Sequence, residues 1–309
     1  MKIRDFIGYD LMDQVKMILS KYVGRKVKAY QVFCLDSSAY SNGLADRLRG
    51  IISVYAYSKC IGREFKIYHK EPFMLSTYFS PNKYNWEIHF DDICHIYPFA
   101  SPVIMLDKFK PIRLNSLCKY FQHHFYTNED WLPFLNKKYG MDFKPHVLFE
   151  ELFRPSFYFM EQINKYSPSD KYISASFRFM QLLGDFKDIR GETLNELDQK
   201  KLMEKCLQKL KELHEVNSNY KILVTADSEK FIKYVSSESY VHTIPGPISH
   251  IGHHQAKSQI DLDLKTFLDF YFLGKAEKVY MLHSGKMYRS NFARSAALYY
   301  NRPYNEISF

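Results

Sequence analysis

The chain has 309 residues, of which 46% are hydrophobic and 25% are charged. This length allows two domains of about 150 residues each or one large α/β unit, and the composition excludes a disordered chain. The formal net charge is +9, from 43 basic and 34 acidic side chains, which suits a polyanion, an anionic membrane surface or a phosphorylated small substrate without choosing among them.

No apolar segment has the length that a transmembrane helix needs. Near the N-terminus, Asp5 and Asp10 interrupt the region where a signal peptide would carry its apolar core, so we expect a cytoplasmic protein. The five cysteines are widely spaced and form no CxxC pair, which favours buried free thiols over a metal site or disulfides. They are Cys34, Cys60, Cys94, Cys118 and Cys206.

The first half opens with a βαβ pattern. Residues 28–34 predict a strand, and a polar loop leads to Gly43 and an amphipathic helix over residues 44–59. A second strand is predicted at residues 64–68. This order is typical of an α/β domain.

Charged residues crowd the first turn of this helix. Arg47 and Arg49 lie where the helix dipole favours anions, and Asp46 is next to them. Residues placed against local preference are candidates for function. The alternative interpretation is that both arginines are simply solvated.

Residues 71–145 have no regular pattern. An apolar run at 102–106 predicts a strand, and residues 120–126 are interpreted as the flank of a helix. His123 and His124 are adjacent and would point to different faces of that helix. A surface pair is therefore favoured over a shared metal site.

The second half alternates strands and helices, as nucleotide-binding α/β domains do. Neither GxGxxG nor GxxxxGK[ST] occurs, which disfavours dinucleotide oxidoreductases and P-loop ATPases. In the predicted helices, Leu197 should face the core and Gly274 should mark an end. We predict strands at 171–179, 220–227, 241–244 and 278–282, and helices at 196–216 and 264–272 and after Asn291.

Charged residues follow two of these strands. Arg178 lies in an apolar run at the end of the first, where a guanidinium either pairs with a buried carboxylate or grips a phosphate. Both interpretations are open on local evidence. Asp185 lies in the loop beyond, and Asp227 ends the next strand, where with Ser228 it can cap a helix.

The last predicted helix offers an anion site. A helix N-terminus presents free backbone N–H groups, and open α/β sheets bind ligands beyond the carboxyl ends of their strands. A phosphate over Ser290, Asn291 and Phe292 and an ordinary capped helix are equal alternatives. A Gly/Pro loop before this region carries three histidines, interpreted as facing a substrate or phosphate rather than a metal: His250, His253 and His254.

Several separated motifs fall into one order along the chain. They are NGLADRLRG before a long helix, SASFRF at a strand end, ILVTADSE, and LDFYFLGKAEKVYML followed by SNFARSAA. Together they resemble the metal-independent GT-B fucosyltransferase superfamily, which includes the nodulation, core α1,6- and protein O-fucosyltransferases. The resemblance covers most of the chain and leaves out residues 71–145.

The resemblance implies an α/β fold of the GT-B type, with two Rossmann-like domains facing across a cleft. Residues 1–150 would form the acceptor-side domain and residues 151–309 the nucleotide-sugar-binding domain. It implies GDP-fucose as donor substrate, no metal or other cofactor, a glycan acceptor and no nucleic acid. It also allows peripheral contact with the inner face of a membrane or a lipid-linked acceptor.

The resemblance also implies which residues hold the donor. The family's HxRR motif reads Ser176-Phe177-Arg178-Phe179, without its His and second Arg, so Arg178 would grip the β-phosphate. The acidic residue that recognises guanine maps onto Asp269. The phosphate-holding loop corresponds to Arg289-Ser290-Asn291-Phe292, and Asp227 ends the strand that resembles the ATD motif.

Glycosyl transfer releases a nucleoside diphosphate and needs a base for the acceptor hydroxyl. Asp46 takes the place of a polar residue in the family's acceptor-facing N-terminal loop, and Asp46 and Asp185 are both candidates for the base. The implied function is an inverting fucosyltransferase in capsule, lipopolysaccharide or glycoconjugate synthesis. The alternatives are a glycosyltransferase with another nucleotide sugar and a non-catalytic nucleotide- or glycan-binding protein.

Overall fold

The apolar runs of the first half form parallel strands joined by a buried helix. The computed structural model describes residues 28–35, 43–70, 73–94, 99–101, 103–105, 121–186, 191–248 and 260–309. The predicted βαβ opening is confirmed. In chain order this half contains β1 (Tyr30–Leu35), α1 (Leu44–Cys60), β2 (Glu64–His69), α2 (Leu75–Tyr78), β3 (Phe79–Pro81), a short 3-10 helix (Phe90–Asp92), β4 (Ile104–Met105), β5 (His123–Tyr126), α3 (Leu132–Tyr139) and α4 (Pro145–Leu152).

The first sheet has four parallel strands in the order β2-β1-β5-β4. All six residues of β1 are buried, as expected for a central strand of a parallel sheet that is covered on both faces. Among the described residues of the predicted strand at 102–106, β4 forms a strand at Ile104–Met105.

The prediction of a helix flank with surface histidines at residues 120–126 was wrong. This segment contains β5, which lies between β1 and β4, and His123 and His124 are only 5% and 1% exposed. Their polar groups have partners: His123 Nδ1 lies 3.1 Å from Gln31 Oε1, and the backbone N–H of His124 donates to Ser101 Oγ at 3.0 Å. The sequence of β5 lacks the run of apolar residues that is typical of a buried strand, because two of its four buried positions are hydrogen-bonded histidines.

The second half supplies a five-stranded parallel sheet in the order β11-β10-β7-β8-β9. In the register, Ser176 at the end of β7 is level with Thr225 and with Met281, so three carboxyl ends meet at one edge. The predicted alternation of strands and helices is confirmed. Its elements are β6 (Phe153–Pro155), α5 (Phe157–Tyr166), β7 (Tyr172–Ser176), α6 (Glu196–Glu215), β8 (Lys221–Thr225), α7 (Glu229–Val235), β9 (Val241–His242), α8 (Ile260–Lys275), β10 (Val279–His283), α9 (Phe292–Tyr299) and β11 (Tyr304–Ser308).

Two details of the predicted helices were wrong. Leu197 is 63% exposed, because it is the second residue of α6, where the helix begins beyond the core. Gly274 does not end α8, which continues to Lys275. A Cβ at Gly274 would lie 2.0 Å from Cδ2 of Tyr300, so the glycine allows the segment after α9 to pack directly on α8.

One hydrophobic core joins the two halves of the chain. Buried residues of α8 and α9, among them Phe267 and Ala296, belong to the same cluster as Phe33 of β1 and Phe149 of α4. The rings of Phe149 and Tyr299 stack with centroids 5.2 Å apart. The boundary predicted after residue 150 falls inside α4.

Within the described ranges, none of the helices combines the length and the apolar character needed to cross a membrane.

His69, at the end of β2, predicts how stability depends on pH. Burial and the nearby Arg47 lower the pKa of His69 to about 3, whereas its ordinary value is 6.5. Below pH 6.5 the unfolded chain therefore binds a proton that the folded chain excludes. The free energy of unfolding should fall as pH drops from 6.5 toward 3, by up to about 1.4 kcal/mol per pH unit from this residue.

His69→Gln removes this titration and should flatten the pH dependence of urea unfolding between pH 7 and 5. His89→Gln is the matched control, because the His89 side chain is 76% exposed. An unchanged slope in His69→Gln would contradict the assignment.

Candidate functional site

A cavity of about 350 Å³ lies at the carboxyl edge of the second sheet, beside the first turn of α1 and the start of α9. This volume is within the range of small-molecule sites. Seven of the eight residues predicted for the site line it, and Asp185 does not. The seven are Asp46, Arg178, Asp227, Asp269, Ser290, Asn291 and Phe292.

An ion pair places Arg178 in the cavity wall. Its Nη1 lies 3.2 Å from Oδ2 of Asp227, and its guanidinium carbon lies 4.7 Å from the ring centroid of Phe186. The Arg178 side chain is 19% exposed, and that of Asp227 is 5% exposed. The guanidinium pairs with a buried carboxylate and also lines a cavity. The structure is therefore compatible with both interpretations of Arg178.

Asp227 also shapes the loop after β7. Its two carboxylate oxygens accept the backbone N–H groups of Phe179 at 2.7 Å and Met180 at 2.8 Å. Met180 has a φ of 56°, a left-handed conformation that a methionine adopts only when its surroundings impose it. Burial raises the pKa of Asp227, opposed by Arg178 and these two N–H groups. The carboxylate thus positions Arg178, and direct contact with a ligand stays a prediction.

The start of α9 also lines the cavity. The Ser290 hydroxyl accepts the backbone N–H of Phe292 at 3.2 Å, whereas the side chain of Asn291, the N-cap residue, makes no capping bond. Arg289 pairs with Glu306 and does not line the cavity. The helix N-terminus and Arg178 together give this part of the cavity a positive potential.

Asp269 lines the cavity from α8 together with a residue that the sequence analysis missed. Lys265 Nζ lies 2.9 and 2.7 Å from the two carboxylate oxygens of Asp269, and the two residues are 4% and 8% exposed. Burial raises the pKa of Asp269, opposed by Lys265. The i, i+4 spacing of a lysine and an aspartate was the available signal, but it is usually read as a surface pair.

The first turn of α1 brings Asp46 to the cavity from the first half of the chain. Asp46 forms an ion pair with Arg49, and burial raises its pKa, opposed by Arg49 and Arg47. Arg47 is not solvated, which corrects one alternative: it is 1% exposed, and its guanidinium carbon lies 5.7 Å from the Phe73 ring centroid. Burial lowers the pKa of Arg47 to about 10, against the attraction of Tyr126, Asp263 and Asp46.

Asp185 lies apart from these residues. Its Oδ2 accepts the Ser228 hydroxyl and the backbone N–H of Lys230, each at 2.8 Å, so it caps the start of α7. The three loop histidines predicted to face a substrate lie outside the described residues. Across the parts of the chain that the structure describes, no three His, Cys, Asp or Glu residues form a group that could hold a metal ion.

The described residues form an α/β protein with two parallel sheets, and solved structures of a glycosyltransferase have a similar fold. NodZ α-1,6-fucosyltransferase soaked with GDP-fucose matches with a TM-score of 0.51 and 13% identity, over 88% of this chain and 92% of NodZ. NodZ co-crystallised with GDP matches at 0.52 and 12%, over 88% and 93%. NodZ from Bradyrhizobium matches at 0.50 and 12%, over 88% and 94%.

The chain thus has the fold of the NodZ fucosyltransferase, as the sequence resemblance implied. No protein-family model matches the sequence, and no curated protein is significantly similar to it in sequence.

Arg178→Ala should leave the protein folded, because the two backbone N–H groups still satisfy the Asp227 carboxylate. If the cavity holds GDP, as the sequence resemblance implies, Arg178→Ala should abolish GDP binding in titration calorimetry. Arg178→Lys keeps the charge but loses the planar fork, so turnover should fall by about 10²–10³. Arg154→Ala is the control, since that exposed arginine lies on β6, outside the cavity. If folded Arg178→Ala keeps its affinity for GDP, Arg178 does not bind the phosphate, and its role is limited to the ion pair with Asp227.

Proposed function

We propose that this protein is a metal-independent inverting glycosyltransferase that moves fucose from GDP-fucose to a glycan acceptor. The two sheets would be the centres of two Rossmann-like domains of a GT-B enzyme, with the cavity as the cleft. One observation carries the proposal: the cavity gathers the predicted donor-binding residues of the second half around a carboxylate, Asp46, that comes from the first half.

The likeness to NodZ supports the donor assignment, because those NodZ structures were obtained with GDP-fucose and with GDP. The geometry supports it separately. A guanidinium and a helix N-terminus that line one cavity suit a diphosphate, and the carboxylate of Asp269 on α8 suits the donor groups of guanine.

The reaction would follow from where charge develops. The acceptor hydroxyl oxygen attacks the anomeric carbon of fucose, the bond from that carbon to the β-phosphate oxygen breaks, and its electron pair leaves with GDP. Arg178 and the N-terminus of α9 stabilise the negative charge on the departing diphosphate. These groups supply the positive charge that a bound cation provides in other transferases.

The proton of the acceptor hydroxyl would go to Asp46. Asp46 lines the cavity, whereas Asp185 caps α7 outside it, so Asp46 is the better candidate of the two. Burial raises the pKa of Asp46 and makes its carboxylate a stronger base, while the ion pair with Arg49 holds it ionised.

Guanine recognition by Asp269 predicts that GDP binds and that UDP binds much less well. Asp269→Asn, which keeps the size of the side chain, should weaken GDP binding by about 1–3 kcal/mol, by analogy with a lost bidentate contact to a base edge. UDP binding should change little in titration calorimetry. Asn is preferred to Ala because it leaves an acceptor for the buried Lys265. An unchanged GDP affinity in Asp269→Asn would show that Asp269 does not bind guanine.

Donor cleavage without an added metal is the second test. Purified protein should release GDP slowly from GDP-fucose without acceptor, and faster with a glycan acceptor, and EDTA should leave both rates unchanged. The same assay with UDP- and ADP-linked sugars tests the choice of donor. Rates that fall in EDTA and recover with Mg²⁺ or Mn²⁺ would contradict the proposal, and no release from any sugar nucleotide would favour a binding protein.

A further inference from the structure

Lys265 and Asp269 form a largely buried ion pair in the wall of the cavity. Lys265 and Asp269 are 4% and 8% exposed as whole residues, and both line the cavity. The Lys265 stem packs against the loop before α8: a Cβ built on Gly246 would lie 3.4 Å from Cβ of Lys265, and the φ of Gly246 is 132°. The ammonium group is therefore held in one place and does not extend into solvent.

This pair is poorly explained by stability alone. Its neighbours on α8, Phe267, Leu268 and Phe270, are each 1% exposed and apolar. Removing two charges from water is costly, and an apolar pair of similar volume in such surroundings is often equally or more stable. A buried pair that opens onto a cavity is, by contrast, a frequent feature of ligand-binding sites.

Hydrogen-bonding capacity remains on both partners. An ammonium group has three N–H donors, and the contacts to the two oxygens of Asp269 use two of them. A carboxylate has about four lone-pair positions, of which Lys265 uses two. The described residues add no further hydrogen bond to either side chain. The pair thus presents one donor beside two acceptor oxygens.

We propose that Lys265 is a second base-reading residue, which selects a 6-oxopurine by donating to its O6 while Asp269 accepts from N1–H and the 2-amino group. This inference rests on the proposed guanine-nucleotide function. Adenine in the same position would direct its 6-amino donors at the ammonium and its N1 lone pair at the carboxylate. The pair therefore favours guanine strongly over adenine, and hypoxanthine, which lacks the 2-amino group, falls between them.

Titration calorimetry with GDP, IDP and ADP tests the proposal. Wild-type protein should bind in the order GDP, IDP, ADP. Lys265→Met keeps the length of the stem but removes the donor, and should lower the ratio of GDP to ADP affinity by about tenfold or more, the usual effect of a lost hydrogen bond to a charged group. Lys275→Met, the same change on the same helix outside the cavity, should leave the ratio as in wild type.

The outcomes separate the inference from the function on which it rests. A wild-type protein that binds no GDP overturns both. A wild type that prefers GDP, with the same ratio in Lys265→Met, overturns the role of Lys265 alone. If circular dichroism shows that Lys265→Met is unfolded, 6-thio-GDP replaces it on the wild type: sulfur is a weaker acceptor than O6, so affinity should fall several-fold, and equal affinity overturns the proposal.

Discussion

The arrangement of the cavity depends on the carboxylate of Asp227. It accepts two backbone N–H groups of the loop after β7 and pairs with Arg178 in the same loop. These three contacts hold a short segment with a left-handed residue at Met180 in a single conformation. They help to hold the guanidinium of Arg178, which also packs on Phe186, at the carboxyl edge of the sheet, where parallel α/β sheets bind their ligands.

The cavity also depends on the hydrophobic core that the two halves of the chain share. Helices α8 and α9 lie between strands of the second sheet in the sequence. Their apolar faces nevertheless belong to the core of the first half, through contacts that include Phe149, Phe267 and Tyr299. Close packing makes such a core stiff. The same contacts that stabilise the fold therefore hold Asp46 of α1 in one cavity with Arg178 and the start of α9.

Buried charges concentrate around this cavity. Arg47, Asp269 and Lys265 are buried at or beside it, and Asp46 is half-buried there. Charged groups are buried at a cost that the fold must offset elsewhere. Here the offset comes from pairing, Asp46 with Arg49 and Asp269 with Lys265, and from the large aromatic core beneath them. In a water-poor cavity, fixed charges of this kind act on a ligand more strongly than they would at the surface.

The periodicity of apolar residues was sufficient to predict the strands and helices that have one buried face. The sequence by itself determined β1, α1, β2 and the alternation of the second half, because apolar periodicity reports which face of a strand or helix is buried. It also singled out Arg178 and Ser290 as candidates, since a charge inside an apolar run and a polar residue before a helix stand out locally. It failed at β5, whose buried side chains are polar, and at Gly274, whose small size matters only against Tyr300.

Only the tertiary structure decided which charged residues share a site. It separated Asp185 from Asp46, buried Arg47, and joined Lys265 to Asp269 within the cavity wall. These outcomes depend on contacts between residues far apart in the chain, or on the burial of one face of a helix by another element. A sequence pattern records the spacing of residues along the chain. It does not record which of them are withdrawn from water together, and that withdrawal is what shifts the pKa of an ordinary aspartate such as Asp269.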